Sequence, residues 1–304
     1  MSETTDKNPP IVGDPVELEP GIRSILAPNP SPMTYWGTNT YLLGQQDITV
    51  LDPGPMEERH LDAIIDALRP GQRIVQIVVT HSHKDHSPLS TPLKAKTNAP
   101  IIAFGDSRSG RSDAMISLSQ NGEIGGGEGV DESFAPDHLV ADGDVIEIED
   151  QSLCVIHTPG HMGNHVSLGL GDVCFTGDHI MGWASSLVSP PDGDLTDFMA
   201  SCERLAATEW RRFYAGHGAP ITEPNARLQW LIAHRRARES EILAALAKAP
   251  ANAAELVQAI YHDVDPRLIP AAQRNVLAHL VDLCGRDIVR NRQTFEFNTT
   301  FELA

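Results

Sequence analysis

Cysteine is scarce in this sequence, cationic residues are outnumbered by anionic ones, and no long apolar run occurs. Each shortage closes off a class of protein. The four cysteines, Cys154, Cys174, Cys202 and Cys284, are scattered with no close pair. That spacing matches neither a zinc finger nor a disulfide framework, and it suits a reducing compartment. Cys154 and Cys174 lie in apolar stretches that read as strands, so both are expected to be small buried hydrophobes. No stretch approaches the roughly 18 apolar residues that a bilayer crossing needs. Met1 to Pro10 lacks the basic start and apolar run of a secretory signal. A cytoplasmic protein without a membrane partner is therefore expected.

Lys and Arg number 23 against 41 Asp and Glu, a formal net charge of -18. Such a field repels polyanions, which disfavours nucleic acid and anionic lipid as partners without ruling out RNA. The charge is uneven: from Asn225 to Ala304 ten Lys/Arg stand against nine Asp/Glu, so the acidity lies almost wholly in the first three quarters. Some of those carboxylates are expected to be offset by bound cations. With 304 residues, 41% of them hydrophobic, the chain can bury one large core or two ordinary ones.

Residues 1–15 are polar and read as a loose tail. Two apolar stretches between Thr38 and Asp52 flank Gly44-Gln45-Gln46-Asp47, which reads as a hairpin. Leu61, Ile64, Ile65 and Leu68 share one face of a helix over Glu57–Leu68. Ile74–Val79 is a β-branched run typical of a buried strand, and another helix starts near Pro88. The Gly/Ser-rich stretch 105–129 matches no phosphate-binding fingerprint. It reads as a surface loop around a short helix, or as a lid. Strands follow at Val145–Ile148, Leu153–Ile156, Val173–Phe175 and Phe213–Ala215, with a helix at Asp197–Ala207. Strands alternating with helices indicate an α/β protein. After Pro224 come helices at Asn225–Ala247, Ala253–Tyr261 and Ala271–Gly285, then a β-like Thr294–Phe301. The expected division is 16–224 as a catalytic domain and 225–304 as a small, mostly helical one.

The strongest chemical signal is His81-Ser82-His83-Lys84-Asp85-His86. Three imidazoles and a carboxylate in six residues suit zinc or a similar divalent ion. His81 and His83 can project to one side of an extended turn, leaving Asp85 and His86 to face a neighbouring ion. An exposed His-rich turn is the alternative, and the buried strand directly before His81 argues against it. The placement recurs at His157-Thr158-Pro159-Gly160-His161, at Thr176-Gly177-Asp178-His179 and at Gly216-His217-Gly218. Each sets a metal-competent side chain beside glycine just past an apolar strand. Parallel strands would gather these ends on one edge.

In this order, the HxHxDH, TPGH, TGD and GHG segments resemble the metallo-β-lactamase superfamily, and the match spans roughly residues 20–220. Gly37-Thr38-Asn39-Thr40-Tyr41 and Asp52-Pro53-Gly54 resemble its opening hairpin. Ala233-His234-Arg235 and the helical tail resemble the branch of β-lactamase-like protein 2. The resemblance implies a four-layer αββα sandwich with a winged-helix-like C-terminal domain and a dinuclear site on one edge. Carried over by motif, one ion would take His81, His83 and His161, the other Asp85, His86 and His217, with Asp178 shared. Zinc is the expected metal, iron or manganese the alternatives. Asp52 resembles a carboxylate that would hydrogen-bond a ligand imidazole and fix its tautomer; an ordinary turn aspartate is the other reading. His157, His165 and His179 lie near ligand positions without matching them.

The implied reaction is hydrolysis by a metal-bridging hydroxide, with Asp85 orienting the nucleophile. His83 stands where the redox-active di-iron members carry Asp or Glu. The expected substrate is a small ester, lactone or thioester. Tyr35, Trp36, Met181 and Trp183 flank the motifs and are candidates for an apolar pocket wall. Two competing functions are a single-strand endoribonuclease and a metal-stabilised partner-binding protein. The tail lacks a basic stripe for DNA, so it is expected to form a pocket wall or a homodimer contact.

Overall fold

The structure, a computed structural model, describes residues 8–121, 124–127, 129–262, 265–291, 296 and 298–304. Among them, β1 (Pro15–Glu19), β2 (Ile22–Leu26), β3 (Asn39–Leu43), β4 (Asp47–Leu51), β5 (Arg73–Val78), β6 (Ile101–Ala103) and β7 (His138–Leu139) form one sheet in sequential order. A second sheet runs β12-β11-β10-β9-β8, from β8 (Val145–Ile148), β9 (Gln151–His157), β10 (Val166–Leu170), β11 (Val173–Gly177) and β12 (Arg212–Ala215). Side chains alternate across each strand. On β3, Tyr41 and Leu43 face the second sheet, where they meet Leu153, Val155 and Phe175. Leu42 points the other way, to Leu61 and Ile64 of α1 (Glu58–Asp66) and Leu93 of α2 (Ser90–Thr97). The far face of the second sheet buries Cys174 and Phe213 against Phe198, Cys202 and Leu205 of α4 (Leu195–Ala206). Helix, sheet, sheet and helix make four layers.

Cys174 is buried as expected, but Cys154 is exposed. Leu153 and Val155 take the inner face of β9, so the pleat turns Cys154 outward, where little covers it. The sequence reading also passes over β10. Its Val166, Leu168 and Leu170 alternate with Ser167 and Gly169, and Gly171-Asp172 closes a two-residue hairpin to β11. The stretch 105–129 holds α3 (Asp113–Asn121), and Val12 pairs with Leu26, so the chain from there on lies against β2.

After β12 come α5 (Pro224–Leu246), α6 (Ala253–Ile260) and α7 (Ile269–Gly285), then the pair β13 (Val289–Asn291) and β14 (Phe301–Leu303). Residues 294, 295 and 297 of the β-like stretch lie outside the described residues. Helix α5 serves two cores. Leu228 and Leu231 pack on the sandwich, while Ile242 and Leu246 pack with Leu256, Val276 and Leu280. Met115 and Leu118 of α3 join that second core. No helix among the described residues is long and apolar enough to cross a membrane.

Candidate metal centre

Strand direction gathers the motifs. β9 and β11 are each antiparallel to β10, and β11 is parallel to β12, so β9, β11 and β12 end at the same rim. β5 delivers His81 to that rim from the other sheet. Two groups of donor atoms result, each with its members within 4.8 Å of one another: His81, His83, His161 and Asp178, and Asp85, His86, Asp178 and His217. Asp178 belongs to both. In the first, His83 Nδ1 lies 3.0 Å from His81 Nε2 and 3.0 Å from His161 Nε2. In the second, His217 Nε2 stands 3.2 Å from both Asp85 Oδ2 and Asp178 Oδ2, and His86 Nε2 stands 3.4 Å from Asp178 Oδ1.

The outer nitrogens explain these orientations. Thr80 Oγ1 donates to Asp52 Oδ2 at 2.7 Å, so its contact of 3.0 Å with His81 Nδ1 is accepted from the ring. His86 Nδ1 donates to Asp52 Oδ2 at 2.9 Å, His161 Nδ1 to the Leu187 carbonyl at 2.7 Å and His217 Nδ1 to the Gly37 carbonyl at 3.1 Å. In all four rings Nδ1–H is held by an outer acceptor, and Nε2 is the nitrogen turned toward the cluster. Asp52 thus touches a ring of the cluster rather than merely shaping a turn. Its backbone has φ +51°, a left-handed conformation that aspartate tolerates.

Burial pushes His81, His83 and His161 down, His83 to about 3. For His86 and His217 burial acts in the same sense, but Asp178 and Asp85 outweigh it. His86 ends well above its usual value and His217 at about 10. The same attraction outweighs burial at Asp85 and Asp178, holding both below the usual carboxylate range.

The donor set fits a divalent cation. His86 Nε2, His217 Nε2 and Asp178 Oδ1 are buried without a hydrogen-bond partner. A buried polar atom left unpaired costs about 1–3 kcal/mol, and here three such atoms converge, which a bound cation would satisfy. Gly216 is part of the fit, since a Cβ there would stand 2.4 Å from Asp178 Oδ1.

Beside the cluster lies a cavity of about 640 Å³. His83, Asp85, His161 and Asp178 form its floor, and Met33, Ile124, Met181, Leu187, Pro270 and Ala271 give it apolar walls. Pro270 and Ala271 start α7, so the C-terminal helices contribute to the cavity. Of the four residues singled out as a pocket wall, Met181 lines it. Tyr35 stacks between Trp36 and Trp183 at ring separations of 4.7 and 4.9 Å, and Trp183 packs on Gly218. His157 bonds the Gly163 carbonyl and stacks on Phe104. His165 contacts Thr158 Oγ1, and His179 contacts Cys202 Sγ; none of these three rings joins either donor group. Sequence reasoning missed Thr80, the Gly37 and Leu187 carbonyls, and the walls from Met33 and α7. Thr80, adjacent to His81, carried a signal; a backbone carbonyl carries none.

Comparison with known proteins agrees with this geometry. The family described as "Metallo-beta-lactamase superfamily" matches residues 33–217, more than half of the chain, and "Beta-lactamase associated winged helix domain" matches 253–296. A "Beta-lactamase-like protein 2 homolog" of Drosophila melanogaster is 31% identical over 280 residues, covering 88% of each chain. An "Atrochrysone carboxyl ACP thioesterase" of Claviceps purpurea is 27% identical over 82% of this chain and 72% of its own. The crystal structure of a beta-lactamase domain protein from Burkholderia ambifaria superposes with a TM-score of 0.80. It covers 99% of this chain and 97% of its own at 23% identity, a likeness of fold.

Proposed function

Because the chain belongs to the metallo-beta-lactamase superfamily, we propose that it is a hydrolase working with two divalent ions, zinc first among them, on an ester, lactone or thioester of a small acyl substrate. His81, His83 and His161 would hold one ion, Asp85, His86 and His217 the other, and Asp178 would be shared. Bound there, the ions supply Lewis acidity toward the attacked carbonyl and a water acidified toward about neutral pH.

The chain's own groups do the rest. Asp85 keeps 26% of its side chain exposed, whereas Asp178 keeps 8%. It is therefore the more exposed of the two cluster carboxylates on the cavity floor, placed to orient an attacking water. Asp52 holds His86 through Nδ1, so that its Nε2 would be the nitrogen offered to the ion. The apolar walls receive the acyl group and exclude bulk water, which strengthens every charge interaction at the floor. Residues 16–224 make the catalytic unit in this reading, and 225–304 an appended unit that closes one side of the cavity.

The observation that carries the proposal is Asp178, shared between two converging donor groups at the floor of an apolar cavity. Thioesterase chemistry draws support from the name of one relative, and the net charge of -18 weighs against RNA. The test joins metal analysis to a screen of acyl thioesters, lactones and unstructured RNA. Two equivalents of metal and chelator-sensitive acyl hydrolysis are expected. Full acyl turnover after complete metal removal would refute the proposal, and RNA cleavage lost in Asp85→Asn would redirect it.

A further inference from the structure

Residues 181–190 have no regular secondary structure, yet Met181, Leu187 and Ser189 line the cavity. An irregular segment has no ladder of its own, so its peptide groups must find partners elsewhere. Here they find them on the C-terminal helices. On α5, Arg227 donates to the Met181 carbonyl at 2.8 Å and the Ala184 carbonyl at 2.6 Å. Arg235 donates through Nη2 to the carbonyls of Ser185 and Ser186, at 2.8 and 2.7 Å. On α7, Asn275 Oδ1 accepts from Val188 N–H at 3.1 Å and from Arg235 Nη1 at 2.8 Å.

The geometry points to Arg235 and Asn275 as positioning residues for His161, acting through the Leu187–Val188 peptide. That peptide is planar and trans, so its C=O and N–H point in opposite directions. Its N–H ends on Asn275 and its C=O accepts from His161 Nδ1 at 2.7 Å. Rotation of the plane would break both bonds together. Arg235 holds the preceding carbonyl, Ser186, and so pins the other end of Leu187. It is 3% exposed, with its guanidinium 5.1 Å above the Phe198 ring. Both helices lie outside the motif-bearing strands. The appended unit thereby sets the direction of one imidazole in the first donor group and leaves Asp85, His86 and His217 to other partners.

The inference rests on the metal reading above, and calorimetric titration of the whole protein with zinc alone separates the two. Asn275→Ala is expected to weaken binding at one site by about tenfold, the low end of what loss of a ligand's own hydrogen-bond partner costs, since Asn275 acts one peptide further out. The other site and the melting temperature should stay close to wild type. Asn275→Asp keeps an oxygen acceptor for both donors and should restore the affinity. If Asn275→Ala does not fold, Arg235→Lys, which keeps the charge but not the fork, should show the same one-site loss. Folded variants that bind zinc at both sites as the wild type does would overturn the inference alone. So would equal weakening of both sites with a lowered melting temperature, the mark of a merely structural role. A wild-type protein that takes up no zinc would overturn the metal reading itself.

Discussion

Gly216→Ala adds one methyl group at the point where the two donor groups meet. No left-handed backbone is required at this position, so the substitution carries no conformational strain, and its cost is contact alone. The new Cβ would stand 2.4 Å from Asp178 Oδ1 and 2.7 Å from His86 Cε1, where ordinary contact begins at 3.4 Å. The Asp178 oxygen must therefore retreat by about 1 Å. It has little room, since its two oxygens are held at 3.4 Å from His86 Nε2 and 3.2 Å from His217 Nε2. Overpacking of this kind costs about 1–3 kcal/mol, and at roughly 2–4 °C per kcal/mol melting should fall by several degrees. Misplacement by about 1 Å costs on the order of a hundredfold in turnover. Because Asp178 is common to both groups, zinc affinity should weaken at both sites rather than one. The assay is zinc titration with thioester hydrolysis and thermal melting. Gly285→Ala serves as the control, its Cβ meeting nothing within 4 Å. Wild-type turnover and zinc affinity in Gly216→Ala would refute the claim that Asp178 must occupy this position.

Two further outcomes follow from charge. Asp178 and Asp85 overcome burial to raise His217 to about 10, so at neutral pH in the absence of metal its imidazole carries a proton that a cation must displace. Zinc binding should release about one to two protons at pH 7, counting His86, and affinity should rise with pH toward 10; a binding enthalpy independent of buffer ionisation would contradict this. At the sheet edges, hydrogen bonds from Arg211, opposed by partial burial and joined by Tyr214, bring Glu19 from 4.5 to about 2. A lowered carboxyl pKa stabilises fully above 4.5 and loses that contribution as pH falls toward 2. Glu19→Gln should cost about 1–2 kcal/mol at pH 7 after discounting for solvent screening. In denaturant titrations the gap to wild type should close in acid.

The residues that gather at the rim were readable from the sequence because their chemistry is rare. Imidazoles and carboxylates at four strand ends, beside glycine at three of them, have few other uses, and a glycine such as Gly216 is needed where a side chain passes within contact distance of the backbone. The hairpin over Thr38–Asp52 and the helix at Glu57–Leu68 follow from apolar periodicity, which local burial preserves. Strand β10 was overlooked because Ser167 and Gly169 dilute its apolar character, though both are packed in the second sheet. The burial expected of Cys154 failed for a related reason. An apolar run shows that a strand has a buried face, but the pleat decides which residues take it.

What the sequence conceals is orientation. His161 and His217 are aimed by the carbonyls of Leu187 and Gly37, and every residue owns a carbonyl, so residue type carries no mark of the role. Arg235 is hidden differently. Within Ala233-His234-Arg235 it carries a family resemblance but no role, and arginine is a residue type that ordinarily faces water. Only the packing of α5 against α4 turns it inward at 3% exposure, over the carbonyls of Ser185 and Ser186. A buried guanidinium is tolerated when its donors are met, and an irregular segment is tolerated when its acceptors are. Each requirement here satisfies the other. The helices that look like an appendage in sequence are therefore linked by hydrogen bonds to His161 through the segment they hold. Removing them would take away the partners that hold the Leu187–Val188 peptide against His161.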